Sequence, residues 1–177
     1  LEAVSVALCG RHCSGNSIYF FVYKILNIPY NHCSNRESDL LEWRTEIIQP
    51  LLAEADKKNL SVLKIHSHPN GYPRFSETDD NSDLDLFKSV LGWTQEVNQH
   101  LSCVMLPDGK VFGRIIDEDL KFFSLTKVSI IGDEIKFFND SKIDSDIIAN
   151  EPNERNIQTF GKGTVSLLGQ MKIAVVG

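Results

Sequence analysis

The chain has 177 residues and a mass of 20.0 kDa, of which 42% are hydrophobic and 24% charged, a composition that excludes a wholly disordered, collagen-like or disulfide-scaffold protein. Eighteen Lys+Arg against twenty-four Asp+Glu give a formal charge of -6 and a pI near 5.3. With no basic run to neutralise phosphates, no nucleic-acid surface is expected, and no apolar run approaches the ~20 residues of a membrane span.

The first residue is Leu1, and no charged segment precedes an apolar one, so no signal peptide is visible. Cys9, Cys13, Cys33 and Cys103 then read as reduced thiols of a cytoplasmic protein. Cys9, His12, Cys13, His32 and Cys33 could in principle surround a structural zinc. Adjacent strand residues point to opposite faces, however, which keeps His32 and Cys33 from converging.

In chain order, residues 1–9 (LEAVSVALC) read as a Val-rich strand ending at Gly10, and residues 17–22 (SIYFFV) as a second strand. Residues 34–39 supply polar start residues for a helix over 40–55, kinked or divided by Pro50. Residues 61–65 (SVLKI) return to strand character and run directly into His66. Two prolines and Gly71 force an irregular loop over 69–75. A second helix begins between Ser76 and Ser82, with Leu84, Phe87, Val90 and Leu91 on its apolar face. Residues 101–106 and 110–116 flank Pro107-Asp108-Gly109 as a hairpin, and 126–131 with 134–138 form another around Gly132-Asp133. Residues 139–156 turn polar and acid-rich, as a linker does, and the chain closes on a strand-like MKIAVVG. Helices interleave with hairpin-joined strands, which predicts an α+β fold with a mixed sheet.

The chemistry concentrates in residues 66–79, HSHPNGYPRFSETD. His66 and His68 stand one residue apart at a strand end, so both imidazoles project from one face. Paired imidazoles with an oxygen ligand hold a catalytic zinc and leave a position open. Ser76 and Asp79, three apart at a helix start, address one point. The same spacing is that of a capping box, which Ser82-x-x-Asp85 repeats, and Asp80, Asp83 and Asp85 are alternative carboxylates.

Taken jointly, His-x-His-Pro-x6-Ser-x2-Asp resembles the JAMM (JAB/MPN-type) metalloprotease motif. The resemblance implies that His66, His68 and Asp79 bind Zn2+ and that Ser76 helps to hold the oxyanion. It also implies a curved mixed β-sheet flanked by helices, a JAMM/cytidine-deaminase-like architecture. The family places a catalytic glutamate at the start of the first strand, a position Glu2 fits; Glu37, Glu42, Glu46 and Glu54 are its rivals. A second resemblance, on Phe160-Gly161 through to MKIAVVG, is to the entry of a ThiF-like (ubiquitin-activating-type) adenylating domain. The expected organisation is therefore a metalloprotease domain over 1–155, then a linker and the first strand of the adenylating domain over 156–177. The resemblance implies a bacterial zinc peptidase or isopeptidase that cleaves after the C-terminal glycine of a ubiquitin-like protein. Such systems serve sulfur-carrier metabolism or antiphage defence. The alternatives are a non-catalytic MPN-type scaffold and a zinc hydrolase of small-molecule amides.

Overall fold

A computed structural model describes residues 2–36 and 41–139. The expected linker, the 155/156 boundary and the terminal strand lie outside the described residues, as does Glu37.

The first strand, β1 (Val4–Ser14), and the second, β2 (Ser17–Asn27), form one long hairpin. The sequence reading ended the first strand at Gly10. The chain instead runs through Gly10 and turns at Gly15, whose φ of +57° favours glycine. A bulge between Leu8 and Cys9 accommodates the change of register on the way.

Beyond a 3₁₀ turn at Tyr30–His32 come two short strands, β3 (Cys33–Arg36) and β4 (Leu41–Trp43), which pair with each other. A second 3₁₀ turn, Thr45–Ile48, then leads into α1 (Gln49–Lys58). Of the helix expected over 40–55, kinked or divided by Pro50, only the part from Gln49 onward is α-helical. Pro50 starts α1 rather than kinking a longer helix, because proline's missing N–H costs nothing in the first turn. Asn59, in left-handed conformation, ends it.

The remaining elements are β5 (Ser61–Ser67), α2 (Glu77–Trp93), β6 (Gln99–Met105), β7 (Val111–Asp117), β8 (Phe122–Ser124) and a hairpin of β9 (Lys127–Ile131) with β10 (Ile135–Asn139). Six strands make one sheet in the order β2-β1-β5-β6-β7-β8. All neighbours are antiparallel except β5 and β6. A parallel pair needs a long crossover, and α2 supplies it. The fold is α+β with a mixed sheet, as the sequence predicts.

Helices cover one face of the sheet. Val4, Val6, Leu8 and Val62 pack there against Leu51, Leu52 and Ala55 of α1 and Leu86, Phe87 and Val90 of α2. On α2 the buried stripe runs through Asp83, Leu86, Phe87 and Val90, so Leu86 takes the place expected for Leu84 and Leu91. Truncating the fully buried Phe87 to alanine costs about 3–5 kcal/mol by analogy with other buried aromatics. On the other face, Ala7, Cys9, Leu63, Leu101, Cys103 and Val111 pack with Val128 and Phe138 of the β9–β10 hairpin. Because both faces are covered, residues 6–9 are continuously buried, and burial pushes the Cys9 and Cys103 thiols up to about 12.

Candidate metal centre

The register of β1 on β5 builds the site. Val4 pairs with His66, and Ala3 exchanges hydrogen bonds with Ser67: its N–H donates to Ser67 Oγ (2.9 Å) and its carbonyl accepts from Ser67 N–H (3.0 Å). Two residues further along, this antiparallel register sets Glu2 across from His68. Glu2 is buried at 6% exposure. It lines a cleft of about 640 Å³ together with His66 and Asp79.

The His66-x-His68 pair sits where β5 ends and meets α2. His68 Nδ1 lies 2.8 Å from the Tyr72 carbonyl. That carbonyl can only accept, so Nδ1 carries a proton, and Nε2 is the nitrogen left to face the other ligand groups. The Nε2 atoms of His66 and His68 lie 3.1 Å apart. Asp79 Oδ1 lies 2.9 Å from His66 Nε2, and Oδ2 lies 3.4 Å from His68 Nε2.

Asp79 occupies this position because it is the third residue of α2. Ser76 caps the helix: its Oγ accepts from Asp79 N–H (3.2 Å), and Asp79 Oδ2 accepts from Ser76 N–H and from the Ser76 hydroxyl (both 2.7 Å). The capping box and the approach of Asp79 to the imidazoles are therefore compatible in one residue. Burial by itself pushes the Asp79 carboxyl up, but hydrogen bonds from His66 and then Ser76 outweigh it and hold the carboxyl well below the usual range. Burial pushes the His66 imidazole down, against the Asp79 hydrogen bond, so it favours the neutral, ligating form.

The donor set fits a zinc ion. Neutral imidazole nitrogens and a carboxylate oxygen bind Zn2+ at about 2.0–2.2 Å, so adjacent tetrahedral ligands stand about 3.3 Å apart. The observed edges run from 2.9 to 3.4 Å. Among the described residues, His66, His68 and Asp79 are the only group of three His, Cys, Asp or Glu side chains close enough to hold a metal ion. The cysteine-histidine cluster considered from sequence does not assemble: Cys9 is buried in the sheet, whereas Cys13 is exposed near the hairpin turn.

The rival carboxylates separate by their surroundings. Asp80 pairs with Arg114, and Asp83 pairs with both Lys64 and Arg114, while Asp85 is exposed on the cleft wall. Glu54 binds Lys24 and Lys58 (both 2.7 Å), which hold its carboxyl at about 2. Glu46 lies in the 3₁₀ turn, and Glu42 lines the cleft but is exposed, unlike Glu2. Sequence reasoning did not anticipate Lys64, whose apolar neighbours mask its burial; its one signal is its position two residues before His66 on the same strand face.

No relative among curated proteins matches the chain. The family of prokaryotic homologs of the JAB domain matches residues 2–112, more than half of the chain, including Glu2 and the whole of residues 66–79. This chain belongs to that prokaryotic JAB family.

Proposed function

We propose that the domain is a zinc-dependent peptidase or isopeptidase that cleaves after the C-terminal glycine of a ubiquitin-like protein. The observation that carries this reading is the closed triangle of two imidazole nitrogens and one carboxylate, with Glu2 in the same cleft. Family membership supports the same chemistry.

A zinc ion held by His66, His68 and Asp79 would supply Lewis acidity, polarising a carbonyl and lowering the pKa of water toward about 7. The chain's own residues do the rest. Glu2, a buried carboxylate at the cleft wall, accepts a proton from the attacking water and delivers it to the leaving amine. The Ser76 hydroxyl, held beside Asp79, turns from Oδ2 to donate to the oxyanion. Asp79 orients this hydroxyl and closes the metal triangle, so the helix start serves both roles. An extended glycine-terminated tail would lie along a sheet edge by strand addition. An adenylating domain in the full-length chain would then activate the exposed glycine carboxylate, in sulfur-carrier metabolism or in defence against phage.

The test is metal analysis joined to cleavage. The purified 177-residue chain is expected to bind one equivalent of zinc and to trim a ubiquitin-like protein encoded beside it, with both lost in His66→Ala. Absence of bound zinc under metal-replete conditions would favour a non-catalytic scaffold. Bound zinc with turnover only on small amides would favour the small-molecule hydrolase.

A further inference from the structure

A second cluster of charges lies on the helix-covered face next to the metal ligands. Lys64 and His66 are two residues apart on β5 and both are buried, so they share a face. Asp79 and Asp83 are four apart on α2 and share a face of that helix. Two strand residues advance about 6.6 Å and four helical residues about 6 Å. The spacings match, and strand and helix meet in two rungs: His66 with Asp79 at 2.9 Å and Lys64 with Asp83 at 2.7 Å. The Lys64 ammonium also donates to Ser82 Oγ at 3.0 Å.

Arg114 completes the cluster from β7. Lys64, Ser102 and Arg114 form one row across β5, β6 and β7, so all three project to the same side. Arg114 donates to Asp83 Oδ2 through Nε (3.1 Å) and Nη2 (2.7 Å), and to Asp80 through Nη1. Its guanidinium lies between the rings of Phe75 (3.8 Å) and Phe122 (3.7 Å). Phe75 directly precedes the cap residue Ser76, and its ring stands 6.3 Å from that of His66. Asp83 is completely buried, and it is the carboxylate both cations share.

Two cations and two carboxylates make this cluster neutral. Removing the charge of Asp83 would leave Lys64 and Arg114 under-compensated in a low-dielectric interior beside a site for a dication. We propose that Asp83, Lys64 and Arg114 form a positioning network whose net charge sets the affinity of the neighbouring centre for a divalent metal. This rests on the reading that His66, His68 and Asp79 bind zinc. Asp83 touches neither metal nor substrate; it acts through Lys64 and through the seating of α2 on β5.

The experiment is a zinc competition titration against a chromophoric chelator, with cobalt(II) absorption spectra, on the full chain and three variants. Asp83→Asn makes the cluster more positive and is expected to weaken zinc binding about 10- to 100-fold, the range seen when partners of metal ligands are lost. Lys64→Met makes it more negative, leaves Asp83 bonded to Arg114, and is expected to tighten binding several-fold. The double variant restores neutrality and is expected to return close to wild type. A role in packing alone predicts the opposite, because two lost contacts weaken the site more than one. Equal affinity in all four proteins, or a double variant weaker than Asp83→Asn, overturns the proposal. If Asp83→Asn does not fold, Lys64→Met decides: tighter binding supports the network, and equal or weaker binding overturns it. A wild-type chain that binds no metal overturns the zinc reading itself, and this inference with it.

Discussion

Ser76 and Asp79 bind each other through three hydrogen bonds that close the first turn of α2, and those bonds leave Asp79 Oδ1 free to meet His66. Helix capping and the presentation of Asp79 to the imidazoles are thus one piece of geometry. The cap fixes the carboxylate rotamer, and the fixed rotamer directs Oδ1 at His66 while Oδ2, which takes the cap hydrogen bonds, faces His68.

Ser76→Ala removes the cap acceptor and the hydroxyl donor to Oδ2. The apo chain is expected to lose about 1 kcal/mol of stability, the usual cost of a lost N-cap. Zinc affinity should fall as well, because Asp79 gains rotamer freedom. Urea unfolding with chelator, compared with zinc titration, checks both; an unchanged zinc affinity would separate the cap from the metal site.

Glu2→Gln keeps the shape of the cleft wall and removes the proton acceptor. Turnover is expected to fall by about 10²- to 10⁴-fold with zinc content unchanged. Turnover equal to wild type would move the general base to another residue, and Glu42 and Asp85 are the other carboxylates that line the cleft beside Asp79.

Zinc binding to the folded chain couples to stability. At free zinc about 1,000-fold above the dissociation constant, the folded state gains about 4 kcal/mol, and chelator removes it. His66→Ala and Asp79→Asn should abolish this gain. Thermal melts with zinc and with chelator measure it directly, and a zinc-dependent shift that survives in both variants would place the metal elsewhere.

His100 gives the acid limb a defined contributor. It is completely buried, with Nδ1 accepting from Val62 N–H at 3.1 Å. Its Nε2 lies 3.2 Å from Thr94 Oγ1, whose own proton goes to the Val90 carbonyl at 2.9 Å. The neutral tautomer protonated on Nε2 satisfies both partners, and a second proton would face the Val62 N–H. Burial, aided by the positive charge of Arg11, lowers its pKa from 6.5 to about 4. Because the unfolded chain binds this proton more readily, the stability it contributes is present above about pH 6.5 and is lost as pH falls toward 4. The loss is about 2 kcal/mol by pH 5. Urea unfolding in chelator at pH 8 and pH 5 should show a smaller drop for His100→Gln than for wild type; equal drops would sink the assignment.

The parts of the fold legible in sequence are those set by short-range rules. Pro107-Asp108-Gly109 does join β6 to β7, with Gly109 at φ +83°, and Gly132-Asp133 lies between β9 and β10. The segment before Pro50 was not legible. Its apolar spacing suits a helix, yet Trp43 sits in a short strand and the 3₁₀ turn that follows buries Ile48. Contacts made by tertiary packing override weak local preference there. Gly10 misled in the same way, because pairing on both sides carries β1 through a residue that would otherwise break it.

The sequence by itself determined the donor types and their local directions. Alternation along a strand puts His66 and His68 on one face, and the capping spacing puts Ser76 and Asp79 at one helix start. The motif already pointed to Asp79, but only the tertiary structure shows which acids face the imidazoles and which are held elsewhere. Asp79, Asp80, Asp83 and Asp85 are alike in composition, but the seating of α2 on β5 gives the first to the imidazoles and ties the next two to Lys64 and Arg114. The register of β1 against β5 likewise brings Glu2 to a cleft formed more than sixty residues later in the chain. Local rules act over a turn of helix or a pair of strand residues, whereas convergence of donors depends on long-range pairing that no local spacing encodes.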